Sequence, residues 1–212
     1  MKYYLSSYKF GNQLDQLPSL LPLAAKIGHI HNARDFTTAD VERKVRSQQE
    51  EIAQLQQLGF AAEALDLKDY FHREAALRTK LNTLHGVWVS GGNTFVLRQA
   101  MRLSGFDCVI HELAQRNDFL YAGYSAGICV LSTSLQYLHL VDNSDDFPYP
   151  DCQQPLWQGL GLLDYALLPH YDSYHPESEA IGRTVTYCIE QKLLFKALRD
   201  GEVLVMTERD AS

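Results

Sequence analysis

The run Phe119-Leu120-Tyr121-Ala122-Gly123-Tyr124-Ser125-Ala126-Gly127-Ile128-Cys129-Val130-Leu131 decides how this chain is read. An apolar segment enters a Gly-x-Ser-x-Gly turn, and a helix-like stretch from Ile128 to Leu131 leaves it. A strand, a sharp turn carrying one serine, and a helix make a nucleophile elbow. The turn forces its central residue into a strained backbone conformation, and the flanking glycines let strand and helix pass closely. The Ser125 hydroxyl is thereby pushed out at the carboxyl end of a sheet. The amide of Ala126, at a helix N-terminus, is placed to stabilise an oxyanion.

Outward from this turn, short apolar strands alternate with helical stretches. The spacing predicts strands at Lys2–Leu5, Ala25–Ile30, Ala61–Leu67, Gly86–Val89, Phe119–Ala122, Tyr165–Leu168 and Glu202–Met206. Between them, Ala39–Leu58 carries Val41, Val45, Ile52, Leu55 and Leu58 at helical spacing and closes on Gly59. Thr94–Leu103 and Arg183–Leu198 read as further helices. Such alternation implies an α/β fold, a mostly parallel central sheet with helices on both faces. Loops at the carboxyl ends of its strands then form the ligand crevice.

A length of 212 residues allows a substantial core in one domain, 1–212. The net charge of −7, without a Lys/Arg cluster, argues against nucleic acid as a partner. No run of 18 apolar residues suggests a membrane span, and the first residues lack the apolar core of a signal peptide. Cys108, Cys129, Cys152 and Cys188 stand singly, as expected of reduced thiols in a cytoplasmic protein.

Three loops carry candidate chemistry. In Val89-Ser90-Gly91-Gly92-Asn93-Thr94 the two glycines let the backbone approach a bound group, with Asn93 or Thr94 able to cap the following helix. A nucleotide loop is not expected, because neither a third glycine nor a Gly-Lys-Ser/Thr ending is present. In Leu168-Pro169-His170-Tyr171-Asp172, His170 follows a strand and suits the role of base to Ser125, with His175 its competitor. The acidic loop Val141-Asp142-Asn143-Ser144-Asp145-Asp146 lies between serine and histidine, and any of its three aspartates could orient the imidazole. His29 and His31 form a His-x-His pair without an accompanying cysteine or carboxylate set, so no metal and no cofactor is expected.

Gly91-Gly92-Asn93-Thr94, Gly123-Tyr124-Ser125-Ala126-Gly127 and Pro169-His170, in this order, resemble the peptidase E-like family of serine peptidases, the aspartyl dipeptidase and cyanophycinase group. The likeness extends to Tyr4–Gly11, Asn32-Ala33, Gly159-Leu160-Gly161-Leu162 and Asp200-Gly201. It implies a class I glutamine amidotransferase-like fold with serine in place of cysteine at the elbow, hence hydrolysis through an acyl-enzyme. On this resemblance Ser125 is the nucleophile and His170 the base. Gly91, Gly92 and Ala126 supply the oxyanion-hole amides. Asp142 fits the family spacing for the third residue, with Asp145 and Asp146 open. Asn93 and Arg183 are expected to bind substrate. The expected partner is a small peptide and the expected state a monomer or homodimer.

The loop after His170 carries Glu177 and Glu179 before its first cation, Arg183. Short peptides are therefore expected as substrates, with an N-terminal aspartate accepted but not required. Alternatives are a binding module of the same fold without a working triad, and a cyanophycinase-like isopeptidase.

Overall fold

Along strands β4 (Gly86–Val89) and β5 (Leu120–Tyr124) successive side chains leave the sheet on opposite faces. Val87, Val89 and Tyr121 enter one buried cluster, while Trp88, Leu120, Ala122 and Tyr124 enter another. Both faces of these strands are apolar, so both must be covered. In the computed structural model, which describes residues 1–37 and 41–207, helix α1 (Val41–Gln57) contributes Leu55 to the Trp88 face. Helices α2 (Glu74–Leu81), α3 (Thr94–Ser104) and α4 (Phe106–Leu113) cover the other with Leu77, Val96, Met101 and Ile110.

The remaining strands of the central sheet are β1 (Lys2–Ser6), β2 (Lys26–Ile30), β3 (Ala61–Ala64) and β8 (Val203–Met206), in the order β3-β2-β4-β5-β1-β8. All neighbours are parallel except β1 and β8, which pair antiparallel with Ser6 opposite Val203. The reversal matters for the site. The start of β8, not its end, lies on the same rim as the carboxyl ends of the parallel strands.

Two expectations are corrected here. Tyr165–Leu168 contains β6 (Ala166–Leu168), but this strand pairs with β7 (Phe195–Ala197) in a separate two-stranded sheet and not in the central one. The helix expected over Arg183–Leu198 is α6 (Ser178–Glu190), which stops well short because Lys192 takes a left-handed φ of 55° and the chain turns into β7. Elsewhere the predicted strand Ala61–Leu67 ends at Ala64. Asp66 then accepts a hydrogen bond from the amide of Lys68 and starts a 3₁₀ turn over Leu67–Tyr70. The predicted helix start at Ala39 lies outside the described residues.

The small sheet, α6 and the turn after β5 share a third apolar cluster that includes Cys129, Leu168, Ile181 and Cys188. This packing carries the end of β6, and with it His170, to the end of β5. No helix among the described residues is long and apolar enough to cross a membrane.

Candidate active site

Ser125 has φ 50° and ψ −120°, between the end of β5 and the short helix α5 (Ala126–Cys129). An L-residue is strained at this φ, and packing must hold it there. A Cβ on Gly127 would lie 2.2 Å from the carbonyl oxygen of Val89, and one on Gly123 2.4 Å from the same atom. Only glycine lets β5 and α5 approach β4 this closely.

Ser125 Oγ lies 3.0 Å from His170 Nε2, and His170 Nδ1 lies 2.6 Å from Asp200 Oδ1. Asp200 accepts, so the imidazole proton belongs on Nδ1 and Nε2 is free to accept from the serine hydroxyl. Ser7 braces both partners: its Oγ accepts from the His170 amide at 2.8 Å and donates to Asp200 Oδ1 at 3.0 Å. The ring of His175 stacks on His170 with centroids 3.7 Å apart, and Tyr8 meets it edge-on. His170 is buried, and burial lowers its pKa from the ordinary value against the opposing pull of Asp200.

Asp142 is not the residue beside His170. Its Oδ2 accepts from the amide of Thr94 at 2.8 Å, at the first turn of α3, and burial pushes its pKa up to about 6. Asp146 likewise turns to Asn93 and Asn143, at 2.9 and 2.7 Å. Asp145, exposed on that loop, makes its contact through its amide to Asn143 Oδ1 at 3.2 Å. The acidic loop therefore docks on the N-terminus of α3, where the dipole and free amides favour negative charge. The position beside His170 falls to Asp200, in the turn that enters β8.

The loop after β4 is pinned from several sides. The Asn93 side chain caps α3 by accepting from Phe95 and Val96, and its amide group donates to Asn143 and Asp146. With all its hydrogen-bonding capacity engaged inside the protein, Asn93 shapes the site but is not free to bind a substrate as expected. Gly92 has φ 149°, and a Cβ there would meet the Ala33 carbonyl oxygen at 2.3 Å. Among the described residues, the amides of Gly91, Gly92 and Ala126 donate to no protein acceptor. A Cβ on Gly91 would lie 2.9 Å from Ser125 Cβ, and Gly91 and Gly92 line the same cavity as Ser125.

A cavity of about 310 Å³ opens at Ser125. Its wall is acidic through Asp142, Asp146 and Glu177 and basic through Arg34. Arg34 follows β2 on the same rim, and its guanidinium donates to the Gly91 carbonyl at 3.3 Å and to Tyr124 Oη at 3.4 Å. Arg183, the expected cation, is instead exposed on α6 and paired with Glu179 at 2.7 Å, away from the cavity. Glu177 Oε2 stands 4.0 Å from His170 Nε2, and burial, with Asp142 and Asp200 nearby, raises its pKa to about 7. Beneath the floor, Tyr124 Oη donates to the buried carboxylate of Glu51 at 2.7 Å.

A strained serine on a strand-to-helix turn, hydrogen-bonded to a histidine that a carboxylate orients, has the arrangement of a Ser-His-Asp triad at a nucleophile elbow on an α/β sheet. The comparisons with known proteins narrow the class. The family model "Peptidase family S51" matches residues 36–212, and the chain belongs to that family. It is 32% identical over 133 residues to a Listeria monocytogenes protein named "Uncharacterized peptidase Lmo0363", covering 62% of this chain and 60% of that one. It is 31% identical over 146 residues to a Drosophila melanogaster protein named "Probable alpha-aspartyl dipeptidase", covering 68% and 54%. The match thus spans about half to three-fifths of these relatives' length. A crystal structure of a Listeria monocytogenes EGD-e protein provisionally named peptidase E superposes with a TM-score of 0.72 at 24% identity, over 97% of this chain and 98% of the other. The fold is therefore shared along the chain.

Proposed function

We propose that this protein is a serine-type exopeptidase that hydrolyses short peptides with a free N-terminus. The observation that carries the reading is the unbroken relay from Ser125 through His170 to Asp200, on a backbone strained as an elbow requires. In the first half-reaction Ser125 Oγ bonds to the scissile carbonyl carbon while its proton passes to His170 Nε2. The carbonyl oxygen becomes an oxyanion, which the amides of Gly91 or Gly92 and of Ala126 receive. His170 then gives its proton to the leaving amine as the C–N bond breaks. Water, deprotonated by the same nitrogen, cleaves the resulting ester and returns the hydroxyl to Ser125.

The cavity walls support the restriction to short peptides. Glu177 Oε2, 4.0 Å from His170 Nε2, is near enough to pair with an α-ammonium next to the attacked carbonyl, and a half-buried carboxylate with a raised pKa gains a partner from that charge. Arg34 supplies a cation for an acidic side chain or the substrate's terminal carboxylate. A volume near 310 Å³ suits a ligand of dipeptide size.

A fluorophosphonate probe tests the chemistry: native protein is labelled at Ser125, while Ser125→Ala and a heat-denatured control are not. A dipeptide library with varied N-terminal residues, each also as its N-acetyl derivative, tests the specificity. Hydrolysis is expected for free dipeptides alone. Cleavage of N-acetylated peptides at equal rate overturns the exopeptidase reading, and absence of labelling together with absence of hydrolysis overturns the catalytic one.

A further inference from the structure

Beneath the sheet face that carries Tyr124, His29 of β2 and His31 directly after it meet a carboxylate that their neighbouring sequence does not provide. Glu51 arrives from α1, 22 residues after His29, and His29, His31 and Glu51 each offer a donor atom within 4.8 Å of the others. All three residues are buried. Glu51 Oε2 takes contacts from His29 Nε2 at 2.9 Å, Ser90 Oγ at 2.7 Å and Trp88 Nε1 at 3.3 Å, and Oε1 takes one from Tyr124 Oη at 2.7 Å.

The imidazoles are less well served. His31 is 4% exposed, yet neither of its ring nitrogens has a hydrogen-bond partner, and His29 Nδ1 has none either. Buried polar atoms are nearly always partnered, by protein, water or an ion. In a neutral imidazole one ring nitrogen carries a proton and the other a lone pair, so His31 holds a buried lone pair that no proton or ion takes up.

We propose that His29, His31 and Glu51 bind one divalent transition-metal ion of the zinc type. Two imidazoles and one carboxylate are a donor set that Zn²⁺ takes, and its filled d shell imposes no geometry of its own. Bonds of about 2.0–2.2 Å set tetrahedral donors roughly 3.3–3.6 Å apart, so the His29–Glu51 pair, now at 2.9 Å, must open slightly while the wider separations, all within 4.8 Å, close. The two rings are tilted by 32° with centroids 5.5 Å apart, so their lone pairs can converge by side-chain rotation. The other triplet, His170, His175 and Glu177, belongs to the site already described.

Entry is through a cavity of about 210 Å³ that His31 borders. Lys44 and Lys68 on its wall are ion-paired, Lys44 with Asp35 and Lys68 with Asp35 and Asp66. Ser90 Oγ, 3.1 Å from His29 Nε2, or a water from the cavity completes the coordination. The ion would join β2 to α1 and, through Glu51, brace Tyr124 directly before the elbow serine.

The test is calorimetric titration of Zn²⁺ into chelator-stripped native protein, with a chromophoric chelator in competition. One equivalent per chain is expected with micromolar or tighter affinity, weakened at least tenfold in His31→Ala. Folding of the variant is checked by circular dichroism, and His31→Gln serves as a second variant. Zn²⁺ should also raise the melting temperature of the native chain and not that of the His31 variants. Ser125→Ala should bind as the native chain does, which separates the ion site from the peptidase reading. No uptake by the native protein, unchanged affinity in the His31 variants, or loss of binding in His175→Ala overturns the proposal.

Discussion

An imidazole acts as a base only in the tautomer that turns its lone pair toward the nucleophile. Asp200 Oδ1, 2.6 Å from His170 Nδ1, fixes that tautomer and stabilises the imidazolium formed as Ser125 loses its proton. Asp200→Asn should therefore lower kcat by on the order of 1,000- to 10,000-fold with little change in KM. Asp142→Asn, whose oxygen can still accept from the Thr94 amide, should change kcat less than about tenfold. Steady-state kinetics of the two variants decide between these carboxylates, and equal losses would remove Asp200 from its role. The pH profile adds a second check. His170 must be neutral to act as base, and its pKa lies below the ordinary 6.5, so kcat falls only as pH drops below that value. Glu177 must be ionised to hold an ammonium, and its pKa is about 7, so kcat/KM falls at a higher pH than kcat does. In Glu177→Gln the upper inflection should vanish while the lower one stays. Ser125 and His170 were legible as residues because glycines and a strand end surround them. Asp200 was visible as part of the Asp200-Gly201 likeness but not as the carboxylate of the site, because that role depends on a neighbour 30 residues away.

At the scale of elements, what hides Asp200 is the direction of one strand. A parallel reading of the sheet puts the turn before the last strand on the rim opposite Ser125. The antiparallel pairing of β8 with β1 brings that turn to the rim of Ser6, Ser7 and the elbow. Apolar alternation reveals that a strand exists but not which way it runs. The same limit explains β6 and β7. Each is only three residues long, and α6 with its flanking turn could be read as one long helix. The elbow itself is spelled out locally, since its glycines are forced by contact with β4. Gly127→Ala would place a methyl carbon 2.2 Å from the Val89 carbonyl oxygen, so β4 and α5 must separate. The expected cost is about 1–3 kcal/mol, seen as a lower melting temperature, together with loss of fluorophosphonate labelling as Ser125 moves. An unchanged melting temperature and labelling rate would show that the turn relaxes without strain.

Over the whole molecule, the rim gathers its charges from distant parts of the chain and sorts them. Arg34 comes from the end of β2, Asp142 and Asp146 from the loop before β6, and Glu177 from the turn into α6. The cavity therefore has Arg34 at Gly91 and Tyr124, Glu177 at His170, and Asp142 and Asp146 at the N-terminus of α3. Read along the sequence, the acids after His170 argued against a strict requirement for an N-terminal aspartate, because Arg183 was the first cation to follow them. In the fold Arg183 pairs with Glu179, and Arg34 faces the cavity instead. A substrate carboxylate that loses its water needs such a partner, since charge-assisted hydrogen bonds to charged groups contribute about 1.5–3 kcal/mol. Arg34→Ala should thus lower kcat/KM for Asp-X dipeptides by about 10- to 150-fold, the equivalent of that energy. Ala-X and Leu-X dipeptides lack the side-chain carboxylate and should lose less than Asp-X. Competition between Asp-Leu and Ala-Leu in one reaction, followed by chromatography, measures the ratio directly. If Arg34→Ala reduces both substrates equally, Arg34 acts through the Gly91 carbonyl it holds, as a brace for the loop and not as a reader of the substrate.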